Sequence, residues 1–306
     1  MEVLVATLLT IITAATPLLY AAIGEMVTEK SGVLNLGVEG MMLVGAVVAF
    51  ATIHTTGSAT LAILAGLLGG AGLSMIFALL VLGFQSSQVA TGLALTIFGI
   101  GLSALLGQNL VGVAYDGLPN LHIPGLASIP VVGPLLFQHD ILVYGSIVLV
   151  FAVAWFLKRT RAGLILRAVG DSHDAAHAIG YPVLRIRFLA ILFGGGMAGI
   201  AGAYLSLAYS PLWIENMSAG RGWIALALVV FATWRPWRVF VGAYLFGGIT
   251  ILQLHAQALG VGVPSQVMSM LPYVATIVVL VLISRDRSKI KLNAPACIGK
   301  PFHPTA

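Results

Sequence analysis

Apolar runs long enough to cross a hydrocarbon layer of ~30 Å recur along this chain, and that recurrence restricts its fold more than any other feature. They occupy residues 3–23, 32–53, 59–84, 87–107, 141–157, 187–209, 222–234, 238–259 and 264–284. With 59% hydrophobic and only 8% charged residues among 306, a soluble core of this length would leave much apolar surface in water, so lipid must be the solvent for a large part of it. In lipid the backbone has to satisfy its own hydrogen bonds. The expected fold is therefore all-α, a polytopic membrane bundle of about eight to nine transmembrane helices. The seventh run is short and follows Ser218-Ala219-Gly220-Arg221-Gly222, and the first contains Pro17, so these two are the weakest spans. Only Glu2 precedes the first run, without the basic flank of a signal peptide, so it reads as a retained helix.

Lysine and arginine orient the bundle. Nine crossings with the N-terminus outside leave segments 24–31, 84–87, 158–186, 234–238 and 285–306 in the cytoplasm. These segments, with Arg187 at the next helix edge, carry 14 of the 15 basic residues and leave only Arg221 outside, as the positive-inside rule requires. The basic charge is thus topological and points to anionic membrane lipid rather than nucleic acid. The organisation is a transmembrane domain over 1–284, with a cytoplasmic loop at 158–186, and a basic cytoplasmic tail over 285–306. The Pro- and Gly-rich segment 108–140 reads as an external excursion over the bundle mouth. In the inner loop, Asp171 can cap a short helix through Asp174 and His177 that stops at Gly180 and Pro182. Leu93–Phe98 and Leu226–Phe231 share a pattern and would run in opposite directions, a candidate inverted repeat.

No catalytic set is present: G-x-x-x-x-G-K-[ST], H-E-x-x-H and G-x-S-x-G are all missing. The chain is expected to be a non-enzyme that holds no metal and no cofactor of its own. His173 and His177 have the spacing of a metal pair but lack a third ligand, so they read as surface-helix residues. The single cysteine, Cys297, leaves no intrachain disulfide to form. Glu39 is the acid that most needs a reason. A helix starting near Ser31 would bury it ~12 Å deep, where a carboxylate needs a partner or a polar cavity. It either satisfies backbone N–H groups of a broken helix or lines a path, and both can hold. Asn35, Gln88, Thr91 and Gln253 are the other intramembrane polar candidates for a substrate pathway. Trp223, Trp234 and Trp237 fall at span ends and read as interface anchors.

Three blocks carry a family resemblance: EKSGVLNLGVEGMMLVGA (29–46), RAGLILRAVGDSHDAAHAIGY (161–181) and GRGWIALALVVFATWRPWRVFVGAYLFGG (220–248). The chain resembles the permease subunits of bacterial ABC importers in the branched-chain amino acid, simple-sugar and nucleoside group, over nearly its whole length to about residue 284. The blocks at 29–46 and 220–248 resemble the sugar and nucleoside branch. The block at 161–181 resembles the coupling helix that such permeases present to their ATPases, with Ser172-His173 where relatives more often have Asn-Pro. The resemblance implies a permease in a bacterial inner membrane that moves a nucleoside or simple sugar. Its implied partners are a second permease subunit, identical or homologous, cytoplasmic ABC ATPases that hold the ATP and Mg²⁺, and an extracytoplasmic solute-binding protein. It also implies that Gly170, Asp171, His173, Asp174, Ala175, Ala176 and Gly180 couple to the ATPase. The competing reading is an ion-coupled secondary transporter, which needs deep acids, and Glu39 is the single one that the span assignment provides.

Overall fold

The computed structural model describes residues 2–121, 132–258, 264–271, 274–275, 277–278, 281 and 293–303. Among these, seven helices are long and apolar enough to cross a membrane. In chain order the helices are α1 (Glu2–Lys30), α2 (Val38–Thr56), α3 (Ala59–Ala78, continued by a π-helical turn Leu79–Gly83), α4 (Gln88–Gly107), α5 (Val132–Phe137) and α6 (Ile141–Arg159). There follow α7 (Arg161–Asp171), α8 (His173–Ala178), α9 (Val183–Tyr204, continued by a π-helical turn Leu205–Tyr209), α10 (Arg221–Phe231), α11 (Pro236–Ala258) and α12 (Ser265–Ser269). Of the ninth expected span, 264–284, the described residues are 264–271, 274–275, 277–278 and 281, and they include α12.

Three helices form the centre. α2 and α9 are buried over most of their length, α1 is buried from Ala14 to Val27, and α3 crosses α2 and α9. α3, α4, α6 and α11 turn large apolar side chains outward, such as Leu68, Ile97, Phe151, Trp155 and Val241, as a lipid-facing shell does. Apolar helices gain little from leaving lipid for one another, so packing depends on close backbone approach. Here α9 supplies it with glycines: a Cβ on Gly199 would lie 2.2 Å from the Gly66 carbonyl oxygen, and one on Gly202 would lie 1.8 Å from that of Met42. Gly70 on α3 would meet the Gly195 carbonyl oxygen at 2.2 Å. Hydroxyls pin the neighbouring contacts of α1 with α9 and α6, and that of α2 with the turn after α9. Thr28 donates to the Ala190 carbonyl at 3.1 Å, Ser206 to that of Ala46 at 2.9 Å, and Tyr20 to that of Leu142 at 2.8 Å.

Two backbone stretches inside the bundle are not helical. α1 runs through Pro17 to Lys30, further than the run ending at residue 23 suggested, and the chain then re-enters as an unwound segment over 31–37. The second stretch, 210–220, precedes α10. At 11 residues α10 is only about 16 Å long, half a bilayer core. The seventh crossing is therefore a broken one, part irregular chain and part half-helix. On the far side of the bundle from α8, residues 111–118 pair with 207–213: Tyr115 N–H donates to the Pro211 carbonyl and Leu118 N–H to that of Leu207, both at 3.0 Å. Trp213 is fully buried there, its ring against the backbone of Gly107. Of the Pro-rich excursion, residues 122–131 lie outside the described set and Pro134 lies in α5.

Gly199→Val should lower the melting temperature of the detergent-solubilised protein sharply, overpacking of this kind costing about 1–3 kcal/mol. Gly72→Ala, on α3 with open space around it, should leave the melting temperature unchanged within ~1 °C. Equal effects of the two would show that the seam does not depend on backbone contact.

Candidate functional site

The unwound segment 31–37 has backbone groups that a helix would have paired internally, and side chains from three helices take them. Asn35 N–H donates to Glu25 Oε1 at 3.0 Å, Leu34 N–H to Gln88 Oε1 at 2.8 Å, and Gly37 N–H to Asn35 Oδ1 at 2.9 Å. Thr96 donates its hydroxyl to the Leu36 carbonyl at 2.9 Å, and Arg187 donates from Nε to that of Ser31 at 3.2 Å. Gly92 on α4 lets the strand approach: a Cβ there would lie 2.7 Å from the Leu36 nitrogen. The chain turns at Gly32 with φ +89°, a conformation that glycine adopts without steric cost.

Glu39 sits just beyond this segment, in the first turn of α2. Gly40 rests on Leu95 and Thr96, seven or eight residues, or about 11 Å, from the start of α4, comparable with the rise expected between Ser31 and Glu39. The route differs. The expected helix start at Ser31 is replaced by unwound chain, and α2 begins only at Val38. Glu39 Oε1 accepts from Ser218 Oγ at 2.5 Å and from Gly220 N–H at 2.8 Å, and Oε2 accepts from Gly222 N–H at 2.6 Å. The carboxylate therefore caps α10 from another helix, where free N–H groups and the helix dipole favour negative charge. A Cβ on Gly222 would sit 2.7 Å from the Glu39 backbone, so the two helix starts touch. The turn that delivers Ser218 and Gly220 places Ala219 at φ +47° and Gly220 at φ +82°.

The other pathway candidates divide. Asn35 and Gln88 are buried and join this network, whereas Thr91 shares a 2.8 Å hydroxyl contact with Ser86 at the start of α4. Gln253 is on α11, whose main packing is with α1, α10 and α6, so it stands apart from the others. Sequence reasoning missed two further acids. Segment 24–31 is expected as a cytoplasmic connection between spans, yet it continues α1 to Lys30, and Glu25 and Glu29 are both 1% exposed within it. Glu29 Oε2 accepts from the Trp234 indole N–H, so Trp234 is a buried hydrogen-bond donor and not an interface anchor. Trp223 and Trp237 are partly exposed at helix ends.

At the opposite end of α1 from its N-terminus, called basal here, the loop 158–186 folds into α7 and α8. Ser172, not Asp171, caps α8, accepting from Ala175 N–H at 3.3 Å, while Asp171 ends α7. Of the seven coupling candidates, Asp171, Asp174, Ala175 and Gly180 are exposed, and Gly170, His173 and Ala176 are buried. Ala176 packs with Val169, Val183 and Phe302. Gly170 lies against the Lys30 carbonyl, which a Cβ would meet at 2.2 Å. Ile179, 72% exposed, extends the open face of α8 and had no distinguishing signal in the sequence.

Arg187 fastens this end. Fully buried, it donates to the Ser31 carbonyl, to the Lys300 carbonyl at 3.2 Å, and to His173 Nδ1 at 3.1 Å. Accepting there requires His173 to be neutral, and burial, with Arg187 next in weight, pushes its pKa below the ordinary histidine value. The rings of His173 and His177 both stack edge-on against Phe302, and no group of three metal-ligating residues occurs among the described residues. The C-terminal segment 293–303 is folded back over the same place. Cys297 N–H donates to the Gly170 carbonyl at 2.9 Å, Gly299 N–H to that of Gly32 at 3.1 Å, and Lys30 Nζ to that of Asn293 at 2.6 Å.

Comparison with known proteins agrees with this architecture. Residues 7–282 match the family described as the branched-chain amino acid transport system permease component. The chain is 40% identical to a Haloferax volcanii protein named as a glucose ABC transporter permease, over 95% of each chain. It is 34% identical to a nucleoside ABC transporter permease of Lactococcus lactis, over 88% of this chain and 89% of the other. With a guanosine ABC transporter permease of Bacillus subtilis it shares 31% identity over 94% and 93%.

Arg187→Gln should release the C-terminal segment. Each charge-assisted hydrogen bond lost contributes about 1.5–3 kcal/mol, so maleimide labelling of Cys297 in the solubilised protein should quicken about tenfold or more. An unchanged rate at constant pH would show that Phe302 and the backbone bonds hold the tail without Arg187.

Proposed function

This chain belongs to the branched-chain amino acid transport permease family, and from that membership we propose that it builds one half of the path by which an ABC importer carries a nucleoside or simple sugar. The names of the relatives, for glucose, nucleoside and guanosine transport, support that choice of solute. The observation that carries the pathway reading is Glu39 capping the half-helix α10 deep in the bundle. Broken helices whose ends meet inside the membrane are where transporters put their solute sites, because free backbone groups there can serve a ligand. In this arrangement Glu39, Asn35 and Gln88 position the two non-helical stretches that form the wall of the path, while Thr91, on α4, and Gln253, on α11, take no part in that network.

The basal end belongs in the cytoplasm, with the N-terminus outside and the C-terminal tail inside, because 14 of 15 basic residues then lie on the inner side. A cytoplasmic ATPase, which binds the ATP and Mg²⁺, would dock on the open face of α8 formed by Asp174, Ala175, His177, Ala178 and Ile179, with Asp171 and Gly180 at its edges. Small alanines let two surfaces approach closely and gain dispersion along the contact. α8 is held to the α1–α2 linker through His173, Arg187 and Ser31, so a push on α8 would be passed to the segment that leads to Glu39. A second permease subunit completes the pore, and a solute-binding protein delivers at the far end.

Glu39→Ala should leave ATPase assembly intact and cut solute uptake at least about tenfold, since three donors lose their acceptor at roughly 1–3 kcal/mol each. Glu39→Gln should be milder, because one of its two terminal atoms still accepts. Normal uptake by the alanine variant would remove Glu39 from the pathway. Ala175→Trp or Asp174→Arg, on the exposed face of α8, should instead detach the ATPase or abolish solute-stimulated hydrolysis while the bundle keeps its melting temperature. Normal assembly and turnover in both would mean that α8 is not the coupling element. Binding of nucleosides, sugars and amino acids to the partner binding protein identifies the solute, and capture of amino acids alone would overturn the proposed class.

A further inference from the structure

We infer that the basal end carries a binding site for an anionic phospholipid, in a cavity between α6, α7 and α9 that no part of the transport path uses. The cavity has a volume of about 560 Å³, is floored by Val27 of α1, and is walled by residues such as Phe156, Ile165, Leu189 and Phe193. Its lining is almost wholly apolar, the Tyr181 hydroxyl being the one polar side-chain group among the lining residues. Such a wall offers nothing to a sugar or nucleoside and holds water poorly, but it suits an acyl chain.

Charge decides what kind of lipid. Residues three or four apart share a helix face, and on each of the three helices the stripe that lines the cavity leads to an arginine. Arg159 follows Phe156 by three positions on α6, Arg161 precedes Ile165 by four on α7, and Arg185 precedes Leu189 by four on α9. Arg159 ends α6 and Arg185 lies in the first turn of α9, both at the basal side, and Arg161 opens α7 beside Arg159. The three arginines are exposed and make no hydrogen bond or ion pair with another described residue. A guanidinium matches phosphate in a bidentate fork, and basic pockets between membrane helices are suited to acidic headgroups. A second copy of this chain fits poorly, because it would bring the same basic end against three helix faces that each already end in an exposed arginine.

The site has a consequence for coupling. α7 leads through Ser172 directly into α8, so a lipid held between α7, α6 and α9 would brace the root of the docking helix. That consequence rests on the proposed function, whereas the lipid site rests on geometry and charge alone and is read without transport. The test places a benzophenone amino acid at Phe193 in the purified transporter complex, in nanodiscs of equal parts phosphatidylglycerol and phosphatidylcholine, and weighs the irradiated adducts. Phosphatidylglycerol adducts should exceed phosphatidylcholine adducts by about fivefold or more. Arg159→Gln, Arg161→Gln and Arg185→Gln together should return the ratio to about one, and Arg185→Gln alone should give an intermediate value. The altered positions are exposed, and an unchanged elution volume checks that the complex remains assembled. A ratio near one in the unaltered complex would mark ordinary boundary lipid and overturn the proposal. So would an adduct to a second permease chain, or an enrichment that survives loss of all three arginines.

Discussion

Backbone that is not helical inside an apolar bundle has to find its hydrogen-bond partners within the protein, and most of this structure is arranged around two such stretches, 31–37 and 210–220. The first draws on Glu25, Gln88, Thr96 and Arg187, which come from α1, α4 and α9. The second ends in α10, whose opening N–H groups are taken by Glu39. Each polar side chain that would be costly alone in lipid is thereby paired with a backbone group that would be equally costly alone. The two stretches meet at Glu39, which follows the first and caps the helix that ends the second. Glu25 keeps one buried oxygen, Oε2, without a partner among the described residues.

The glycine seams supply the rigid frame that such a network needs. α2, α3 and α9 touch backbone to backbone, which leaves little room for their relative motion, because a packed contact of this kind is lost when displaced by even a fraction of an ångström. The half-helix α10 lacks a comparable seam along its length and is held at its start by one carboxylate and at its end by Trp234 on Glu29. The proposed import function requires the path to open on either side in turn. A short helix fixed by two polar anchors is better suited to shift than a glycine-welded triple.

The basal end adds a further junction. Arg187 bonds to all three of the α1–α2 linker, α8 and the C-terminal segment. With Phe302 under His173 and His177, it turns what would be a free loop and a free tail into one layer. The linker that this layer grips is the one that leads to Glu39, so α8 and the polar interior are separated by a single short non-helical segment.

Apolar run length and the Lys/Arg pattern determined the all-helical membrane class and the order of the spans, because both follow from transfer free energies that each residue carries regardless of fold. Glu39 stands out for the same reason, since a carboxylate in an apolar run needs an explanation wherever the chain goes. The blocks at 29–46, 161–181 and 220–248 were enough for the family. What only the tertiary structure decided is where partners come from. Glu25 and Glu29 follow a run that by hydropathy ends at residue 23, and their burial depends on α9, α10 and the linker closing over them. Trp234 has the position of an interface anchor, but Glu29 lies opposite it, and Ala176 has the size of a docking residue, but the C-terminal Phe302 covers it. The tail itself carried no signal of its return, because it is held largely through its own peptide groups, at Asn293, Cys297, Gly299 and Lys300, and sequence does not encode the far partner of a peptide group.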